Sequence, residues 1–416
     1  MKIAIIGAGV IGVTTAYELA ADGHEVTVFE RHGAAAAETS FANAGIVAPG
    51  YVTPWAAPGM PSKVASYMLR RHAPIKLGLP LSARELAWMW HWLRACKLET
   101  YLANRARLQR LAFYSREQLH RLTQSLGLAY DRSDGYMVLL RSEKDNALVQ
   151  PGLQVLRDAG VRFAEIDADA TRRVEPALNP DMQFLGAIQL PDDEVGNCRQ
   201  FTMLLKTEAQ RAGVSFEFNS AVTRIAPGTP VRVTVGDSMS ERTFDALVCC
   251  AGLASADLLR PLGLHLPMAA VYGYSITAAV REPLNAPRSA VMDERYKVAI
   301  SRLGQRVRVA GSAEIGGSPA KQREASIQTL YKVLQDWFPG AANMANGVQV
   351  WKGARPMLPD GPPVLGPSGI QGLWLNLGHG SSGWALSCGS ASVLRDLIAG
   401  RAPELDLEGL GLQRLG

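Results

Sequence analysis

The apolar positions change period several times along the chain, and each change marks an element. Lys2–Ile6 is a short apolar run, read as a buried parallel strand. Val13–Asp22 carries apolar residues at helical spacing, Gly23 ends that helix, and EVTVFE at 25–30 is a second strand. Residues 55–130 are dominated by helical periodicity, with Glu85–Cys96 (ELAWMWHWLRAC) containing three tryptophans, of which Trp88 and Trp92 share a face. Gly135–Leu140 reads as a strand, and 150–164 as a helix followed by a strand. Residues 199–214 form an amphipathic helix that leads into a strand at Ser215–Phe218, and Asp245–Cys250 is a further buried strand. Residues 268–311 alternate polar and apolar, which predicts antiparallel sheet, and Glu324–Phe338 predicts a helix. Near the end, the strand Leu373–Leu377, the glycine turn 378–383 and the helix Trp384–Ala399 repeat the strand–glycine–helix logic of the start.

The opening segment is a βαβ unit with glycines in the turn. Gly7 allows the tight turn, Gly9 lets the backbone approach a pyrophosphate, and Gly12 lets helix and strand pack closely. The N–H groups of Gly9, Val10 and Ile11 lie at the helix start, where unpaired donors and a positive dipole end suit phosphates. Glu30 closes the second strand 18 residues after Gly12, placed to accept hydrogen bonds from a ribose hydroxyl pair. Strand, helix, second strand and terminal acid in this order point to a dinucleotide site. The same N-terminus has the Lys-then-apolar start of a signal peptide, but three glycines interrupt it and strand, turn and helix is the better reading.

Composition narrows the class. The chain has 416 residues, enough for two domains, with 47% hydrophobic and 19% charged residues. A net charge of +5 is spread without a basic block, so no nucleic-acid partner is expected. Five cysteines show no disulfide or metal spacing, which favours a reducing, cytoplasmic compartment and no metal. No run approaches the roughly 20 uninterrupted apolar residues of a membrane span. The tryptophan helix reads first as core, and second as an aromatic face for a membrane surface.

The GxGxxG motif alone does not separate NAD from FAD. The second glycine turn favours FAD, because the flavin end of that longer cofactor needs another seat of backbone N–H groups and a helix N-terminus.

The GAGVIG turn with Glu30, ETSFANAGIVAPGYVTPWAAPG at 38–59, LPDDEVGNC at 190–198, GYSIT at 273–277, ARPMLPDGPPVLG at 354–366 and LNLGHGSSGWALSCGS at 375–390 carry a resemblance over nearly the whole chain. It resembles the small, catalytic subunits of bacterial D-amino-acid dehydrogenases, in the D-amino-acid oxidase and glycine oxidase superfamily of FAD enzymes. The resemblance implies an α/β chain: a Rossmann-type FAD-binding domain (1–65, 150–165, 197–265 and 350–416) and an α+β substrate domain with a mixed, largely antiparallel sheet (66–149, 166–196 and 266–349). It implies oxidation of a D-amino acid to an imino acid, hydrolysis to a 2-oxo acid and ammonia, and electron delivery to a respiratory quinone or other acceptor, with peripheral attachment at the inner face of the membrane. Asn43, Ala44 and Gly45 are expected beside the flavin, Val222 at the adenine, and Gly252 at the cofactor border. Gly378, His379, Gly380, Ser381 and Gly383 are expected to hold the isoalloxazine, with Arg31, Ser40 and Gly353 as further cofactor contacts. Tyr274 and Tyr272 are expected at the substrate. Tyr272 stands where a lysine is expected, and DEVGN where DETGD is common. Glycine, sarcosine, D-proline or hydroxy-D-proline therefore stay open as alternative substrates.

Arg355 matches the arginine that anchors the substrate carboxylate. A planar guanidinium grips a carboxylate through two parallel hydrogen bonds. Four prolines within residues 356–363 exclude a helix or a central strand there and predict a stiff loop as its support. Hydride transfer from Cα to flavin N5 then depends mainly on positioning, with His379 a candidate proton acceptor or an orienting group and Tyr51 expected to pack.

Overall fold

The computed structural model describes residues 1–67, 70, 72–236 and 240–415, and three sheets run through them. The first has six strands in the order Val364–Pro367, Leu373–Leu377, Ala246–Cys249, Lys2–Ile6, Glu25–Phe29, Ser215–Glu217. All its pairings are parallel except the Val364–Pro367 edge. Its central strands are buried along nearly their whole length, as the unbroken apolar runs require. Helices Val10–Ala21, Cys198–Arg211 and Gly383–Ile398 share a core with it. The long helix Leu98–Ser125 joins the same core and crosses Gly383–Ile398 closely. A Cβ on Gly389 would stand 2.8 Å from Ser115 Cα, and Tyr114 Oη lies 2.9 Å from Ser392 Oγ.

The second sheet has ten strands and is mixed. Gln349–Met357 forms one edge and pairs antiparallel with Ala269–Ala279, which pairs with Arg306–Gly316, then Val298–Leu303 and Ala290–Asp293. Ala290–Asp293 runs parallel to Arg132–Leu140. That strand pairs with Gly186–Gly196, which Ile46–Val47 completes. Helix Glu324–Trp337 covers one face. A small antiparallel sheet, Val231–Val235 between Val222–Ala226 and Ser240–Phe244, stands beside the six-stranded one.

Three placements differ from the sequence expectation. Arg355 lies on an edge strand, not in a loop. Pro356 is tolerated in the ladder because an edge strand leaves alternate N–H positions unpaired. Residues 150–165, expected with the cofactor domain, continue helix Glu143–Asp158 and start strand Ala164–Asp167, which pairs in the ten-stranded sheet. Residues 98–125, expected with the substrate domain, pack instead on the six-stranded sheet's helices. Helical period shows that a segment is amphipathic, not which sheet its apolar face meets.

The first turn is the tightest joint. Gly7 has φ +102, and a Cβ on Gly12 would stand 1.9 Å from the Gly7 carbonyl oxygen. Gly12→Ala must therefore push helix from strand. We expect it to destabilise the FAD-loaded protein by about 1–3 kcal/mol, the range of an overpacked core position, read from urea midpoints.

Candidate active site

One continuous cavity of about 2580 Å³ lies between the two large sheets. A drug-sized ligand fills roughly 300–1,000 Å³, so this space suits a dinucleotide with a substrate beside it. Gly7, Gly9, Val10, Ile11, Glu30, Arg31, Ser40, Asn43, Ala44, Gly45, Val222, Gly252, Gly353, Gly378, His379, Gly380, Ser381, Gly383 and Arg355 all line it, as do Tyr272 and Tyr274. Gly12 does not; it is the packing glycine of the turn.

The mononucleotide end is built from backbone. Gly9 sits just before helix Val10–Ala21, and a Cβ there would meet only Ser40 Oγ, at 3.4 Å. Ser40 accepts from Val10 N–H at 3.0 Å, which sets a hydroxyl at the helix start. Glu30 is buried and accepts from Ala8 N–H at 2.8 Å and His32 N–H at 2.9 Å, so its carboxylate is held rigidly at the cavity wall. Gly252 takes φ +56, and a Cβ there would meet nothing within 4 Å. Arg31 reaches the rim, where its guanidinium pairs with Glu38. At the far end, Gly378 and Gly380 take φ +77 and +56, and a Cβ on them would stand 2.5 Å from Leu358 and 2.6 Å from Met357. The short turn Gly380–Ser382 leads into helix Gly383–Ile398, whose N-terminus has no side-chain cap.

Between these ends runs the loop 39–45. Its three last carbonyls are all turned away from the cavity. Asn43 O accepts from Arg308 Nη1 at 3.0 Å, Ala44 O from Ser301 Oγ at 2.7 Å, and Gly45 O from Trp384 Nε1 at 3.1 Å and Gly196 N–H at 2.8 Å. Thr39 Oγ1 donates to Ala354 O at 2.7 Å, tying the loop to the Arg355 strand.

Arg355 itself lies flat on bare sheet. Gly273 and Gly353 face each other across the two strands. A Cβ on Gly273 would stand 2.3 Å from Arg355 Nη2, and one on Gly353 would stand 1.7 Å from the Trp351 ring. The guanidinium is covered by Trp55, 5.7 Å from its ring centroid. Nη1 donates to Ser312 O at 3.1 Å. Ser312 is the extra residue of a bulge opposite Gly273 and adopts φ +59, which turns its carbonyl out of the ladder. Among the described residues no carboxylate pairs with Arg355. Burial pulls its pKa down to about 10, so it stays cationic at neutral pH. Gly353 is thus the floor under Trp351.

The two tyrosines do not join the guanidinium. Arg355 is opposite Val271, so it shares the face of Val271 and Gly273. Tyr272 and Tyr274 oppose Ala354 and Lys352, on the other face. Tyr274 is buried, and its hydroxyl donates to Glu314 Oε2 at 2.5 Å and accepts from Arg323 N–H at 3.1 Å. Burial and the Glu314 hydrogen bond raise its pKa. Burial alone would raise the pKa of Glu314. Hydrogen bonds from Tyr274, Lys352 and Arg323 overcome that, and the net shift is downward. Lys352 Nζ stands 4.3 Å from the Tyr272 ring centroid, so an ammonium occupies this neighbourhood although residue 272 is not lysine. Tyr51 donates to Glu294 Oε2 at 3.0 Å at another wall of the cavity.

His379 is buried. Its Nε2 lies 3.0 Å from Ser390 Oγ, and its backbone bridges to Met357. Burial drops its pKa to about 3. The ring is neutral at pH 7 and meets Ser390 on the following helix, while the backbone of His379 joins the glycine turn to the Arg355 strand.

The sequence profile of the FAD dependent oxidoreductases matches residues 2–397. The chain belongs to that family. It is 46% identical over 418 residues to the D-amino acid dehydrogenase of Cereibacter sphaeroides, across 100% of this chain and 95% of that one. It is 43% identical to the D-amino acid dehydrogenase of Bradyrhizobium diazoefficiens, across 100% and 99%. The crystal structure of glycine oxidase from Geobacillus kaustophilus superposes with a TM-score of 0.77 at 20% identity, over 99% and 98% of the two chains, which bears on fold alone. FAD is therefore the cofactor of this oxidoreductase, and the residues present fit it. The glycine turns, the buried Glu30 and the uncapped helix N-terminus are the donor and acceptor set that cofactor needs. Sequence reasoning missed Ser312, Trp351, Trp55, Ser301 and Arg308. Only the bulge at Ser312 had a trace, Gly311 just before it and the Gly316-Gly317 pair that closes the same strand.

His379 gives a stability signature. Its folded pKa, about 3, lies below the usual 6.5, so the unfolded chain binds a proton that the folded one refuses between those values. Stability falls as pH drops through that window, by up to about 1.4 kcal/mol per unit. Relative to His379→Gln, the parent protein should lose about 1–2 kcal/mol between pH 6.5 and 5 in urea unfolding of the FAD-loaded forms.

Proposed function

We propose that this oxidoreductase deaminates D-amino acids oxidatively, yielding 2-oxo acids and ammonia. The observation that carries the reading is Arg355: a guanidinium in the cavity wall with an aromatic cover, a rigid backbone acceptor and, among the described residues, no acidic partner. An unpaired buried cation is costly to keep, and a substrate carboxylate is the ligand its remaining N–H donors fit. FAD, when bound, accepts the hydride from the substrate Cα. The chain's own part is positioning. Ser312 O and Trp55 hold the guanidinium, the Gly273–Gly353 floor lets it lie close to the sheet, and the bridge from Met357 to His379 fixes its distance from the glycine turn. Burial makes His379 a weak base, so the ammonium proton of the substrate is assigned to water before hydride transfer. The names of the relatives support the D-amino acid as substrate class. The six-stranded sheet is proposed as the cofactor body and the ten-stranded sheet as the substrate body.

We also propose that the electrons go to a quinone or similar acceptor at a membrane surface, with the protein on its cytoplasmic face. No described helix is long and apolar enough to cross a membrane. Trp88 and Trp92, the pair singled out for a membrane face, do not provide it. Trp88 is buried and donates to Met357 O at 2.8 Å, and Trp92 stacks on it at 6.4 Å. The exposed apolar face of that helix is Leu86, Trp90 and Leu93, at 54%, 59% and 47% exposure, continued by Leu98 at 61%. Ala83, Ala87 and His91 of the same helix line the cavity, so the patch borders its mouth.

The deciding experiment is anaerobic. Bleaching of the bound flavin by D-amino acids, and not by L-amino acids, sarcosine or glycine, is expected; bleaching by sarcosine or glycine alone overturns the substrate class. Arg355→Met should retain FAD and stay folded, because the loss of the bond to Ser312 O is offset by the removal of a desolvated charge. It should lose at least ~2 kcal/mol in D-alanine binding, about 30-fold in KM. Trp90→Ser with Leu93→Ser should weaken co-sedimentation with anionic vesicles and leave soluble-acceptor turnover unchanged. Equal sedimentation sinks the patch.

A further inference from the structure

Arg355 is not the only guanidinium buried without an acid. Arg308, on the strand Arg306–Gly316, is 6% exposed. Its Nε donates to Thr277 Oγ1 at 3.0 Å and its Nη1 to Asn43 O at 3.0 Å. No carboxylate among the described residues pairs with it. The charged groups that face it are Arg306 on its own strand and Arg199 on the helix Cys198–Arg211, both of the same sign. The remaining titratable neighbour is Cys198, whose buried thiol has its pKa pushed up to about 12 and so is neutral. Arg199 also lies over the Phe41 ring, at 4.1 Å, on the same loop. One side of the loop 41–45 is therefore backed by uncompensated positive charge. Burial and these two arginines bring Arg308 down to about 10, still cationic at pH 7.

The loop in front of it has a defined polarity. With the carbonyls of residues 43–45 all engaged on the sheet and helix side, the N–H of Gly45 goes to Asn43 Oδ1 at 3.0 Å. No protein acceptor among the described residues takes the N–H of Asn43 or Ala44, and both residues line the cavity. A positive charge behind two unpaired donors of cavity-lining residues favours whatever form of a ligand carries more electron density there.

We infer that Arg308 is a positioning residue that orients the Asn43–Ala44 peptide and raises the reduction potential of the FAD seated against it. The inference rests on the cofactor seat assigned above but not on the identity of the substrate. A neutral replacement leaves the cavity without the positive background that a two-electron-reduced, more anionic cofactor needs. A merely structural Arg308 would change how tightly FAD is held, not the potential of the FAD that remains bound.

The test uses FAD-loaded protein, dye-equilibrated reduction and sulfite titration, with no amino acid present. Arg308→Met should lower the midpoint potential by about 30 mV or more, the equivalent of tenfold for a two-electron couple, and should weaken sulfite binding at least tenfold. Arg308→Lys, which keeps the charge, should stay near the parent in both. If Arg308→Met does not fold, Arg308→Gln, which keeps donors for Thr277 and Asn43, gives the same reading. An unchanged potential and sulfite affinity in the neutral variant overturns the proposal, as does an equal fall in Arg308→Lys. Because no amino acid is present, a failed D-amino-acid reading leaves this result intact. A protein that cannot be loaded with FAD overturns both.

Discussion

The backbone bridge between Met357 and His379 joins the two halves of the molecule at the point where chemistry needs a fixed distance. On one side of it is the edge strand that carries Arg355. On the other is the glycine turn that opens the helix Gly383–Ile398. Trp88 Nε1 donates to the Met357 carbonyl from outside, and Thr39 ties the loop 39–45 to Ala354, the residue before Arg355. Each of these contacts is to backbone, so none depends on a flexible side chain at the receiving end. The prolines that follow Arg355 then stiffen the strand's exit rather than supporting a loop. The result is a guanidinium whose distance from the cofactor seat is set by main-chain geometry.

The charged groups separate into two kinds on that basis. Glu314 gathers Tyr274, Lys352 and Arg323, and every partner in the cluster is satisfied. Such a network specifies a packing arrangement and contributes little net stability, because desolvation offsets the attraction. Arg355 and Arg308 have no such partner. Desolvating an ion carries a penalty of several kcal/mol. Arg355 opens on the cavity, where a carboxylate ligand can supply the missing negative charge, whereas Arg308 faces the cavity only through the peptide of Asn43. The two faces of the strand Ala269–Ala279 keep these kinds apart: the satisfied cluster lies on the face packed by the helix Glu324–Trp337, the unpaired guanidinium on the opposite face.

Much of this was legible in the sequence, and the limit has a physical cause. The turn 7–12 with Glu30, the amphipathic helix near 199–214 and the closing strand–glycine–helix unit declare themselves because each is local. The antiparallel region after residue 268 was also plain from its period of two. Period two, however, fixes only that Tyr272 and Tyr274 share a face; it does not say which face Arg355 takes, since that needs the register of a strand some 80 residues away. Likewise Trp88 and Trp92 declare a common face, and their spacing is equally good for core or surface. What decides is the carbonyl of Met357, which is distant in sequence and close in space. The pairing of Ala164–Asp167 with Gly186–Gly196 is likewise a contact between distant residues that the local period does not show.

Register parity also explains why glycine stands at both 273 and 353. With Gly273 opposite Gly353, a patch of sheet the width of two strands has no side chains on the cavity face. Two large flat groups, the Trp351 ring and the Arg355 guanidinium, fill it by lying parallel to the sheet instead of standing off it. A one-residue slip of the edge strand would bring Ala354 and Lys352 to the cavity face and turn Arg355 into the Glu314 cluster, where a carboxylate would neutralise it. The bulge at Ser312 works against such a slip. Its outward carbonyl accepts from Arg355 in one register alone, and the left-handed backbone at Ser312 is strain that this hydrogen bond helps to hold. The feature that gives the site its unpaired charge is therefore the same one that keeps the strand in register.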